Sequence, residues 1–165
     1  MNKHLIIAIL SGLLILGGCI NAREDVTHNR AYHTDYVAGK IYRTSQPLFI
    51  QVLDHQRVLR EVKSGDARVP SSLDSYWSQG REVWPGIVGV LESGTTLRLN
   101  RVIRTYNGEI GNTFSVVAEV LDGPHRGLEV DLSMVSREYR QKNPLANVPI
   151  VNPEILEGTH EAKNP

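Results

Sequence analysis

Along most of this chain apolar residues recur at every second position, and the runs between turn signals are short. That period belongs to strands with one buried face. Tyr36 to Tyr42 alternates, Leu48 to Leu53 is nearly continuous, and Val58 to Val62 returns after the turn Asp54-His55-Gln56-Arg57. Ile87 to Leu91 and Thr95 to Arg104 follow the same rule. In the second of these Leu97 and Leu99 share a face, and then the period slips, because both Val102 and Ile103 follow Asn100-Arg101. One extra residue in the strand, a β-bulge, accounts for the slip. Asn107-Gly108 marks a turn, since both residues tolerate positive φ. Phe114, Val116, Ala118 and Val120 then line one face of a strand. Asp122 to Gly127 connects it to a partner placing Leu128, Val130 and Leu132 inward and Glu129 and Asp131 outward. Val135 and Tyr139 are expected to help cover this hairpin, in a short turn of helix. Helical spacing occurs once, where Leu73, Tyr76 and Trp77 fall on one face behind a Ser71 cap, with Asp74 in the first turn and Gly80 at the end.

Two stretches lack the pattern. Residues 20–35 are polar and read as a tether. From Gln141 the chain is rich in Pro and Asn and reads as a loose tail, with at most an edge strand at Val148 to Val151. The expected organisation is therefore a signal segment at 1–18, a tether at 19–35, a β-domain at 36–140 and a tail at 141–165. The expected fold is mainly β: a small antiparallel barrel with one short helix.

The N-terminus carries a different signal. Lys3 precedes an apolar run from Leu5 to Ile15 that ends in Leu16-Gly17-Gly18-Cys19. At about fourteen residues up to Gly18 it is shorter than the roughly 20 a spanning helix needs, and it has the basic start and small-residue end of a secretory signal. Leu16-Gly17-Gly18-Cys19 resembles the lipobox of bacterial lipoprotein precursors. The resemblance implies cleavage before Cys19, a diacylated Cys19 thiol and an acylated new amino terminus. If the cell is Gram-negative, Ile20, standing where inner-membrane lipoproteins of many enterobacteria carry Asp, implies the outer membrane, with the domain on the periplasmic face. Otherwise the anchor implies a lipoprotein of the cell membrane. Two or more acyl chains hold a protein stably where one is marginal.

Two further segments, Gly89 to Leu99 and Ala118 to Val130, are similar to the SH3-like barrels of bacterial envelope proteins, where a Gly-Thr turn opens one strand and a Gly-rich turn joins a long hairpin. The mature part thus resembles envelope lipoproteins carrying an SH3-like β-barrel. Small barrels host many activities, so the likeness implies a fold and no site.

Charge and chemistry narrow the function. The 165 residues hold 18 basic and 18 acidic side chains, and loss of Lys3 with the signal leaves the acids one ahead. No basic block marks a nucleic-acid partner. The only cysteine is Cys19, so no internal disulfide forms and the domain relies on its core. There is no Gly-x-Ser-x-Gly elbow, phosphate loop or His-Glu-x-x-His motif. His28, His33 and His160 fall in the expected tether and tail, and His55 and His125 in turns; His28, His33 and Asp35 lack the fixed geometry of a metal site. No cofactor is expected. The reading that remains is a membrane-attached binding or adaptor module contacting an envelope protein or peptidoglycan, with the aromatic residues Trp84, Trp77, Tyr76 and Tyr106 as candidate contacts. The alternative is an envelope hydrolase whose site assembles from scattered residues such as His125, Asp122 and Glu119.

Overall fold

A computed structural model describes residues 22–61, 86–108, 110–142 and 145–159. The expected helix around Leu73 to Gly80, the signal segment, Cys19, Tyr76, Trp77 and Trp84 lie outside the described residues. Strands dominate the rest. They are β1 (Ala22–Asp25), β2 (Ile41–Thr44), β3 (Leu48–Leu53), β4 (Gln56–Glu61), β5 (Ile87–Leu91), β6 (Thr96–Asn107), β7 (Gly111–Val120), β8 (Glu129–Asp131), β9 (Arg137–Lys142), β10 (Leu145–Ile150) and β11 (Leu156–Gly158). A 3-10 turn at Ser133–Val135 precedes β9.

One sheet runs in the order β11-β2-β6-β7-β8-β4-β3-β5, with β1 paired to the second half of β6. All its pairings are antiparallel except the single parallel bridge between β4 and β8, Val58 opposite Asp131. The sheet is mainly antiparallel, as the alternation predicts, and among the described residues it stays open, with β11 and β5 at its two ends. A second, two-stranded sheet, β9-β10, lies against β7.

The β6–β7 hairpin is the spine. Its register runs from Leu97 opposite Val120 to Asn107 opposite Gly111, and it shifts between Leu99 and Arg101. The bulge expected from the sequence is therefore present. Leu97, Leu99 and Val102 on β6 and Val116, Ala118 and Val120 on β7 are all buried in one cluster with Leu48, Ile50 and Leu59 of the β3–β4 hairpin. Burial of such aliphatic side chains contributes about 1.5–3 kcal/mol each. β3 is buried on both faces from Leu48 to Gln51.

Three expectations are corrected. Residues 22–35 are built into the fold instead of forming a tether. Ala22–Asp25 pairs with Tyr106 to Ile103, the Val26 amide donates to Val102 O at 2.9 Å, and Val26, Tyr32 and Tyr36 are buried. The tail is likewise incorporated as far as the described residues reach. Ala146 and Val148 of β10 and Ile155 and Leu156 enter the core, and β11 pairs with β2. The physical reason is the same for both: a segment with few apolar residues still docks when each of them is buried and its main chain is hydrogen-bonded. The two segments also hold each other. The Gln141 amide donates to Ala31 O and accepts from the His33 N–H at 3.3 Å, Thr34 Oγ1 donates to Pro149 O at 3.0 Å, and the Tyr36 hydroxyl meets Ser136 Oγ at 2.7 Å. Burial pushes the phenols of Tyr36 and of its edge-on neighbour Tyr42 up, so both rings are neutral fixtures of the core.

The third correction concerns Asp131. Expected outward, it is buried, because Oδ1 accepts the amides of Val116 at 3.0 Å and Ser133 at 2.8 Å and so fixes the turn after β8. Of the two covering residues, Val135 is buried, whereas Tyr139 sits on β9 with half its surface exposed.

Candidate functional site

The bulge decides what faces outward from β6. With unbroken alternation Arg101 would follow Leu97 and Leu99 into the core. The extra residue instead returns Val102 to the inner face and leaves Arg101 exposed on the other side. There it joins a cleft of about 250 Å³. Its basic lining comes from Arg23 on β1, Arg57 on β4, Arg101 on β6 and His55 in the β3–β4 turn. Ser115 and Val117 of β7 and Glu129 and Asp131 of β8, the two strands between β6 and β4 in the sheet, also line it.

The turn that presents His55 is under local strain. Asp54 and His55 both adopt positive φ, 46° and 66°, the requirement of a two-residue type I′ hairpin. Glycine normally fills the second position; an L side chain there costs about 1–2 kcal/mol. Strain of this kind gathers where a side chain must be presented in one direction.

Most of the acidic charge in the cleft is already used. Glu129 accepts from Asn100 Nδ2 at 3.2 Å and pairs with Arg101 Nη2 at 3.4 Å. Asp131 is committed through Oδ1 to main-chain amides. Arg23 and Arg57 have no carboxylate within ion-pair distance among the described residues. Their planar forks are suited to receive a carboxylate or phosphate in two parallel hydrogen bonds. The cleft therefore offers two uncommitted guanidinium groups and an imidazole to an anionic group.

The residues predicted from sequence lie elsewhere. Tyr106 is 45% exposed on β6, opposite Ala22 and near the tip of the β6–β7 hairpin. His125, Asp122 and Glu119 do not assemble. The His125 ring lies over Gly89 of β5, so close that a Cβ there would stand 2.6 Å from Cε1. Asp122 accepts the Thr96 amide at 3.1 Å, and Glu119 pairs with Arg98 at 2.5 Å. Each of the three has a structural partner of its own. Among the described residues no cluster of three or more His, Cys, Asp or Glu is placed to hold a metal, and no helix is long and apolar enough to cross a membrane.

Sequence reasoning missed Arg23, Arg57, Arg101 and His55 as a group. Two signals were present: the bulge at Asn100-Arg101 and the tightness of the turn between Leu53 and Gln56. Nothing local connects Arg23 to either, because its place is set by pairing with Thr105, far along the chain. Comparison with protein-family models, with curated proteins and with solved structures gave no match.

Proposed function

We propose that this chain is a lipid-anchored binding module of the bacterial cell envelope, attached through Cys19 to the outer membrane at its periplasmic face. The cationic cleft is its binding site, and a carboxylate of peptidoglycan stem peptides is its ligand. The observation that carries this reading is the pair of uncommitted guanidinium groups, Arg23 and Arg57, beside a histidine held at positive φ. A cleft of about 250 Å³ suits a small charged group better than the face of a protein. The lipobox-like Leu16-Gly17-Gly18-Cys19 supports the anchor. The Gly94-Thr95 turn that opens β6 and the Gly123–Gly127 turn between β7 and β8 support an SH3-like affiliation for the sheet.

The alternative of an envelope hydrolase draws no support from the separate placement of His125, Asp122 and Glu119. The test of the binding reading is co-sedimentation of the lipidated protein, in detergent, with purified peptidoglycan. Wild type should sediment with it, and the double variant Arg23→Gln/Arg57→Gln should bind at least about tenfold more weakly, the scale of one lost charge-assisted contact. Retention of full binding by the double variant would remove the cleft from the proposal. Capture of an acidic protein segment in place of peptidoglycan would reassign the ligand.

A further inference from the structure

We infer that the tip of the β6–β7 hairpin is a second membrane contact, seated in the interfacial layer of the bilayer that holds the lipid anchor. The inference rests on the proposed acylation of Cys19 and goes beyond it, from where the chain is attached to how the domain stands on the membrane.

Three observations place the tip there. The first is chain length and direction. β1 pairs antiparallel with β6, Asp25 opposite Ile103 and Ala22 opposite Tyr106, so the chain preceding Ala22 leads toward the tip. Cys19 is three residues before Ala22, and three residues span at most about 11 Å. Acyl chains on Cys19 therefore bring this end of the hairpin to the membrane surface, with no long tether to lift it away.

The second observation is exposure. Ile110, in the turn of this hairpin, is 74% exposed, the most exposed of the large apolar residues described, and Tyr106, four residues earlier at the same end of β6, is 45% exposed. An aliphatic side chain and a tyrosine at one end of a hairpin match the composition of an interfacial anchor: the aliphatic group leaves water and the phenol stays at headgroup level. The third is charge. Ile110 borders a groove of about 340 Å³ that also includes Arg140 of β9, an exposed arginine without a carboxylate partner among the described residues. Arg140 is placed to meet lipid phosphates as Ile110 enters the layer beneath them.

The other end of β7 is a built-in control. Its ten residues extend over roughly 30 Å, and the turn beyond them carries His125, which lies over Gly89. Val88, next to Gly89, is 53% exposed and apolar, yet it lies at the end away from the anchor. If exposed apolar surface alone drove insertion, Val88 and Ile110 would behave alike.

The experiment uses the full mature protein reconstituted into phosphatidylethanolamine and phosphatidylglycerol vesicles, with an environment-sensitive fluorophore on Ile110→Cys or on Val88→Cys. Intact mass of the same samples reports acylation of Cys19. An acylated protein whose Ile110 label is blue-shifted, quenched by lipid-borne spin labels and several-fold less accessible to iodide than the Val88 label supports the inference. An acylated protein with both labels equally accessible to iodide overturns it and leaves the anchor standing. A mass without acyl chains removes the anchor and the inference with it. A label on Tyr106→Cys, compared with and without Ile110→Ser in the same chain, checks that the fluorophore at position 110 is not itself the wedge: its accessibility to iodide should rise several-fold when Ile110 is replaced. Accessibility unchanged by the substitution would also overturn the inference.

Discussion

The β6–β7 hairpin and the clasp formed by residues 22–36 with β9 and β10 reach the same core by different means. The hairpin is local. Its register follows from one turn, its inner face repeats every second residue, and each strand supplies the other's hydrogen bonds. The clasp joins residues more than a hundred positions apart, through Gln141 to Ala31 and His33 and Thr34 to Pro149, and it contributes a handful of large side chains instead of a continuous stripe. Tyr32 shows how much one such residue holds: it packs edge-on against Phe114 at 5.5 Å, lies under the Arg104 guanidinium, and accepts a hydrogen bond from it. Apolar density along a segment is thus a poor measure of how firmly it is docked.

The two modes of burial are probed most directly at large buried side chains. Tyr32→Ala should destabilise the protein by about 3–5 kcal/mol, as truncation of a buried aromatic does, and Leu99→Ala on the hairpin by about 2–5 kcal/mol. Both are read from urea unfolding. A Tyr32→Ala variant with the wild-type midpoint would return residues 22–35 to the status of a tether. The next effect is smaller. Gln141→Leu keeps the side-chain bulk and removes the bonds to Ala31 and His33, and it should cost about 1–3 kcal/mol. Amide exchange should then rise at His33 while the β6–β7 amides stay protected, because the clasp opens without the hairpin. Uniform loss of protection would show that the two regions open as one unit.

The smallest effect lies at Asp25, on the strand that joins the clasp to the hairpin. The hydroxyl and then the amide of Thr27 hold its carboxyl below the ordinary carboxylate value. A carboxyl depressed in the folded state contributes stability above its unfolded value of about 4, and that contribution fades as pH falls through the lower folded value. Asp25→Asn should therefore be slightly less stable than wild type at neutral pH, with the difference closing as pH falls below about 4. A difference that widened on acidification would reverse the assignment. The group is exposed, so the effect is modest.

Strands β3 to β8, the bulge at Asn100-Arg101 and the apolar face of β7 were legible because each is written within about ten residues of sequence, where side-chain direction and chain direction are locked together. The alternation from Tyr36 to Tyr42 misled, since strand β2 starts only at Ile41. The cleft was not legible. His55 was visible as a turn residue but not as one at positive φ, and Arg23 fell in a stretch read as tether. Asp131 alternated outward on paper, yet two main-chain amides from Val116 and Ser133 hold its carboxylate inside.

By itself the sequence determined the mainly β, antiparallel character of the domain, the faces of its central hairpin and its dependence on packing without disulfides, since these follow from periodicity and composition. The tertiary structure alone decided that both apparent ends of the domain belong to its core, and that Arg23, Arg57, Arg101 and His55 meet around one cleft. Those outcomes depend on pairings between distant residues, such as Arg23 with Thr105 and Gln141 with Ala31 and His33, and no local pattern of side chains encodes which distant strand or carbonyl a segment will find.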